Sequence, residues 1–495
     1  MKMKNVFLLM LFIILEIKAN FLHFQFIRSL QSQSTNEYDY SSYTATSTNT
    51  NLNGQTLTSS TSDQSVVYIT QSGITITNSI LQKTGGDSSN TENSEFYGVN
   101  AAVLVNGGGV TITDGEITTA AKGGNAVCAT NNGVVTISGT TISSTAESSG
   151  RGLHATYGGS ITASKVTISS TGGSCATLAT DRGEGTVTCT DCTLSTAGAG
   201  SPLIYSTGTI SISGTTGTSS GAQMVVVEGK NTATVENSSL KCTGVGNRNN
   251  VDKSGIMLYQ SMSGDADSGT STFNCKSSTM EVLSSSSVYD SAPMFFITNT
   301  EASINLENCT FTYGSGVFLD AEGTSEWGTS GSNGGTVTLK LTNQNIEGDF
   351  VIDSSSTLAV TMVNSTMKGT INNSKNSATI SITLDSASNI ILTGNSYISS
   401  LNNADSTGSN IVKGSYSFED YNGNAYTATG SESSEATTTS PSTTSAPTTP
   451  SLTTTPVSSS GNDNNSTYDH WIRVNSNNYI SYSILLCLIN ILLLN

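Results

Sequence analysis

Between residues 74 and 389 one short unit keeps returning. It is an apolar residue, Thr, a second apolar residue, a turn residue, and another apolar residue seven places after the first. It reads Ile74-Thr75-Ile76 with Leu81, Val110-Thr111-Ile112 with Ile117, Val135-Thr136-Ile137 with Ile142, Ile161-Thr162-Ala163 with Ile168, and Val187-Thr188-Cys189 with Leu194. Looser copies begin at Ile210, Ala233, Phe273, Ile304, Leu339, Val360 and Ile382. Most starts lie 21–26 residues apart, with longer gaps of 31, 35, 36 and 40. A unit this small cannot bury a core alone, so its copies must stack on one another as a solenoid.

Alternation within the unit sends Val and Ile to one side of a strand and Thr to the other. A second short strand precedes many copies, as in Val103-Leu104-Val105, Val127-Cys128-Ala129, Leu153-His154-Ala155, Leu203-Ile204-Tyr205 and Val225-Val226-Val227. Asn106-Gly107-Gly108-Gly109 and Asn131-Asn132-Gly133 stand between the two strands. Gly and Asn enter left-handed backbone conformations cheaply, so the chain can turn a corner there. No long stretch has a helical period, and the Leu/Asn register of a leucine-rich repeat is missing. The prediction is an all-β fold: a single-stranded parallel β-helix of about twelve coils over residues 70–395, each coil ~4.8 Å above the last. It sits in a body spanning 38–430 whose end coils need covers. Tyr38–Tyr68 is the expected N-terminal cover. Ser396–Tyr426, with Tyr397, Tyr416, Phe418 and Tyr421, is the expected C-terminal one.

Composition agrees with a secreted repeat protein. Lys and Arg number 19 against 36 Asp and Glu, a net charge of −17, which argues against a nucleic-acid partner. Charged residues are only 11%, too few for disorder driven by charge. At the N-terminus Lys2 and Lys4 precede an apolar run from Val6 to Leu15, with a small residue at Ala19. The run is shorter than the ~20 residues a membrane helix needs, so residues 1–19 read as a secretory signal peptide. Residues 431–470 hold a Ser/Thr/Pro-rich tract that cannot bury a core and reads as a disordered, O-glycosylated stalk. Residues 471–495 end in an apolar tail, Ile484 to Leu494, behind small polar residues. That order matches a glycosylphosphatidylinositol attachment signal, with Asn475, Ser476 and Ser466 as attachment candidates. A C-terminal transmembrane helix is the alternative. The expected address is the extracellular face of the plasma membrane, and the expected state a monomer.

The coils and their Gly/Asn corners resemble the right-handed parallel β-helix superfamily, the pectate-lyase-like fold, and within it the adhesin-like, non-catalytic surface members. The resemblance covers residues 70–395. It implies a rigid surface that contacts carbohydrate or extracellular matrix. The alternative it carries is a secreted polysaccharide lyase or hydrolase. Catalytic members use acidic clusters with a basic residue or a His nearby. Here the rod holds one His, His154, and the closest acidic groupings, Asp181/Glu184, Asp265/Asp267, Glu322/Glu326 and Asp349/Asp353, read as solvated surface. No catalytic, cofactor or metal residue is assigned.

Other features remain open to the structure. Cys128, Cys175, Cys189, Cys192, Cys242, Cys275 and Cys309 are candidates for disulfides or buried thiols; Cys189 and Cys275 share the third position of the unit, Cys192 and Cys309 the sixth. Sequons stand at Asn237, Asn308, Asn364, Asn372, Asn464 and Asn465. The first three share the fifth position, which reads either as an internal Asn ladder or as a glycosylated, water-facing column, with the ladder preferred. The long gaps place inserted loops near residues 83–98, 243–270 and 321–335, where Phe96, Tyr97 and Trp327 are candidate ligand-stacking aromatics. The outward Thr column would suit ice only if a second column ran beside it, and the pattern reads as a single column.

Overall fold

The computed structural model describes residues 35–431. The chain divides into a unit ending at Gly430 and a second beginning at Ser431. The signal peptide and nearly all of the stalk and anchor segments therefore lie outside the described residues. The first unit is a parallel β-helix. A coil contributes one strand to each of three faces, in the order first, second, third. In one coil these are Val127–Thr130, Val134–Ser138 and Thr141–Ser144. In the coil of Ile382 the first-face strand is reduced to a bridge at Ile371. All strand pairings between successive coils on these faces are parallel.

The second face tests the repeat directly. All twelve starts predicted from the sequence pair in series, Ile74 with Val110, Val110 with Val135, and so on through Val187, Ala233 and Ile304 to Val360 with Ile382. A slip of one residue would turn every Val and Ile outward, so the apolar alternation pins the register. Insertions of up to 17 residues between coils, seen as a 40-residue separation across Asn274–Thr234, leave it unchanged.

Both expected covers contain a further coil. Ala45–Thr48, Leu52–Asn53 and Thr56–Ser59 form a complete coil that pairs with the next on all three faces. At the other end Ser396–Tyr397, Ser400–Asn403 and Ile411–Val412 form another. The β-helix thus has fourteen coils, not about twelve. Thr- and Ser-rich strands without a strong apolar pair hid these two. Tyr38, Tyr40 and Tyr43 do not cap the end at all. They lie on the outside of the first face, where Tyr40 stacks on Tyr68 at 6.2 Å and Tyr43 meets Tyr68 edge-on at 5.0 Å.

Inside, small and branched side chains fill the early coils: Ala129, Val135, Ile137, Ile142 and Leu153 are fully buried. Further along, Phe273, Phe295, Phe318 and Phe350 succeed one another, with ring centroids 5.3–6.0 Å apart. Between the second and third faces most coils turn on a residue with positive φ at the fifth position of the unit: Asn78, Asp114 (followed by Gly115), Gly139, Lys165, Asp191, Gly214, Asn237, Ser277, Asn308, Asn343 or Asn364. The coil of Ile382 turns without one. The left-handed conformation is why Asn, Asp and Gly dominate this position.

Candidate functional site

The three faces differ in what covers them. First-face strands from Ser65–Ile69 to Phe295–Thr298 are buried on both sides. Their outward residues Leu104, Cys128, His154, Tyr205, Met257 and Phe296 are as enclosed as the inward ones. The cover is made by the N-terminal tyrosines and by the three insertions, which fold back over the sheet. The first contains a short helix, Thr91–Tyr97, capped by Asn90. Phe96 is buried under the Arg182 guanidinium, 3.6 Å from its ring centre, and Tyr97 stacks on Tyr157 at 5.7 Å. Trp327, from the third insertion, is buried edge-on against Tyr259 at 5.3 Å. The candidate stacking aromatics therefore pack between loop and sheet, Phe96 and Trp327 buried and Tyr97 half-buried.

Charges seal the same seam. Arg151 is buried between Asp181 at 3.2 Å and Glu95 of the helix at 3.8 Å. Arg182 joins the first insertion to the second through Asp265, at 2.9 Å. Buried Glu228 accepts hydrogen bonds from Tyr205 at 2.6 Å, Tyr259 at 2.7 Å and Ser261. Asp181 is thus not solvated surface: burial raises its pKa well above the usual carboxylate range, against the pull of Arg151. His154 is fully buried, with Nδ1 3.8 Å from the Cys128 sulfur. Burial pushes the thiol up to about 12 and holds the imidazole neutral, with Arg151 adding to the latter effect. A neutral thiol beside a neutral imidazole, closed off from solvent, is packing and not a nucleophile.

A second acidic group lies at the later end of this face. Asp320 follows Phe296 in register and precedes Val351, with Asp353 two residues on. Burial and the neighbouring Glu322 and Asp353 raise Asp320 to about 7. Asp353 is lowered despite its own partial burial, because the Gly323 and Ser355 amides and the Ser355 hydroxyl donate to it.

The second face is open. Two outward columns run along it: Thr75, Thr111, Thr136, Thr162, Thr188 and Ser211, and beside them Thr77, Thr113, Ser138, Ser164, Thr190 and Ser213. Every one is exposed or half-buried. The single-column reading is therefore corrected, because the residue two places after each Thr also points out and also carries a hydroxyl. Beyond Ser213 charge enters. An open groove of about 280 Å³ is lined by Thr234, Glu236, Asn274, Lys276, Asn305, Glu307 and Lys340 among others. Asn305 donates to Asn274 at 3.0 Å, Asn274 donates to Thr234 at 3.2 Å, and Lys276 pairs with Glu307 at 2.9 Å.

The remaining candidates separate cleanly. Cys189 bonds to Cys192 within one coil, and Cys275 bonds to Cys309 of the next coil. Cys128, Cys175 and Cys242 are buried free thiols, so three of the seven disulfide candidates are not in disulfides. Asn237, Asn308 and Asn364 are exposed, and the preferred internal ladder is corrected. The one coil-to-coil bond in that column, Asn364 Nδ2 to Asn343 Oδ1 at 2.8 Å, lies at the surface. Asn372 is buried, its amide donating to the Asn376 carbonyl and to the Tyr421 hydroxyl. Asn464, Asn465, Ser466, Asn475 and Ser476 lie outside the described residues. Among the described residues no group of His, Cys, Asp or Glu is arranged to hold a metal ion, and no helix is long and apolar enough to cross a membrane.

The comparisons with known proteins add no relative. No family model matches the chain, no curated protein matches it, and no solved structure matches it.

Proposed function

We propose that the protein works at the outer surface of a cell, as an adhesin-like or coat member of the right-handed, pectate-lyase-like β-helix group, and that its second face contacts carbohydrate or matrix. The observation behind this reading is the two-column array from Thr75 and Thr77 to Ser211 and Ser213. Each of its hydroxyls can both donate and accept, as a neutral sugar chain requires. The array is free of charge and held by a continuous ladder, so little ordering is needed when a ligand docks. The leader-like residues 1–19, the Ser/Thr/Pro tract and the apolar tail support an extracellular, lipid-anchored address.

A glycan array probed with the intact protein tests the contact. We expect binding to neutral glycans that falls at least tenfold in a Thr136→Lys/Thr162→Lys variant with unchanged circular dichroism. No signal above control would leave a passive coat. Freezing-point hysteresis would move the ligand from sugar to ice. Release from cells by a phosphatidylinositol-specific phospholipase tests the anchor.

A second reading, a polysaccharide hydrolase or lyase, is favoured by one observation. Asp320 and Asp353 lie on one face with pKa values pushed in opposite directions, the arrangement that separates an acid from a base or nucleophile. Product release from acidic or neutral glycans, lost in Asp320→Asn, would establish it. No release would retire it.

A further inference from the structure

We infer that the corner between the second and third faces carries a single file of N-linked glycans, one on every second coil, at Asn237, Asn308 and Asn364. The inference rests on the proposed passage of the chain through the secretory pathway. Three observations carry it beyond a sequence pattern.

The first is spacing. Ala233, Phe273, Ile304, Leu339 and Val360 pair in series, so the three sequons sit on alternate coils, with Ser277 and Asn343 at the corners between them. Consecutive corners are only ~4.8 Å apart, while alternate ones are separated by about 9.6 Å. A branched glycan is bulky, and alternate coils give each one room.

The second is presentation. Each Asn is exposed on a left-handed corner, with φ of 48°, 53° and 48°. The middle residues of the sequons, Ser238, Cys309 and Ser365, turn inward and are buried. Ser239, Thr310 and Thr366 then open third-face strands with their hydroxyls on the outside. Asn364 loses nothing by modification, since a glycosylated amide keeps one N–H for Asn343.

The third is contrast. Asn372 has the same sequence pattern, but its amide is buried and engaged by Asn376 and Tyr421. A sugar there cannot coexist with this fold. The glycan row would stand at the rim of the groove, because Glu236 and Glu307 immediately precede Asn237 and Asn308. It would leave the hydroxyl array on the earlier coils bare.

The test is site mapping on the full chain expressed in a eukaryotic secretory host, with enzymatic deglycosylation in heavy-oxygen water to mark each occupied Asn. Asn237, Asn308 and Asn364 should be marked and Asn372 unmarked. Asn237→Gly, Asn308→Gly and Asn364→Gly should each remove one glycan and leave the melting temperature within a few degrees, since Gly adopts the corner conformation. Bare corners in a chain glycosylated at Asn464 or Asn465 would overturn the inference, as would an occupied Asn372 in folded protein. All six sites bare would overturn the secretory reading and this inference together, so the two failures are distinguishable.

Discussion

Asn343 shows what a coil asks of a single residue. It sits at the corner with φ of 50°, exposed, and carries no sequon. Asn343→Gly should leave the denaturation midpoint nearly unchanged. Asn343→Val should lower stability by about 1–2 kcal/mol, the cost of a left-handed L-residue, and equilibrium unfolding of the two variants checks both. Asp320 makes a different demand. Its folded pKa of about 7 lies above the unfolded value of ~3.9, so the folded state holds its proton more tightly. Its contribution to stability is fully present below about pH 4 and is lost as pH rises through 7. Asp320→Asn should therefore match the wild type near pH 4 and exceed it at pH 8. Denaturant midpoints at the two pH values read the difference, and equal midpoints at pH 8 would refute the assignment.

Elements divide into those legible in the sequence and those that were not. Second-face strands were legible because one side meets the core and the other meets water, which prints an alternation. First-face strands carry a signal that was missed. Val225-Val226-Val227, Ile256-Met257-Leu258 and Phe295-Phe296-Ile297 are apolar at every position, the mark of a strand covered on both sides. The insertions had to supply that second cover, so Phe96 and Trp327 were never free for a ligand. The Arg182–Phe96 and Arg182–Asp265 contacts could not be foreseen, because they join residues far apart in sequence whose meeting depends on how two insertions fold back. Phe96→Ala should destabilise by about 3–5 kcal/mol, the range for a buried Phe, and should raise hydrogen exchange in residues 260–267 as well as in the helix. Exchange confined to the helix would show that the insertions are independent. The two disulfides also differ in kind. The bond across 34 residues should contribute about 3.8 kcal/mol by chain entropy, against about 1.6 for the bond across three. Cys275→Ser/Cys309→Ser should accordingly cost more than Cys189→Ser/Cys192→Ser.

At the scale of the molecule, stability is a sum of neighbour contacts, and the vulnerable places are the ends. The coil at Ser396–Val412 pairs on Ile382, Ile390 and Ile391, and Tyr426 packs on Phe418 beyond it at 5.3 Å. A chain ending at residue 395 should expose an unpaired row of amides and carbonyls and associate. Light scattering would show oligomers where the longer chain gives monomers. A final consequence comes from the shared register. The coil of Val135 pairs on both sides with coils of the same shape, those of Val110 and Ile161. A duplication of the stretch from Gly133 to Gly158, one full 26-residue coil, would insert as one more storey, lifting everything after it by ~4.8 Å and disturbing nothing below. Such a protein can change its reach by whole floors without redesigning its walls, so length is the property its gene can vary most freely.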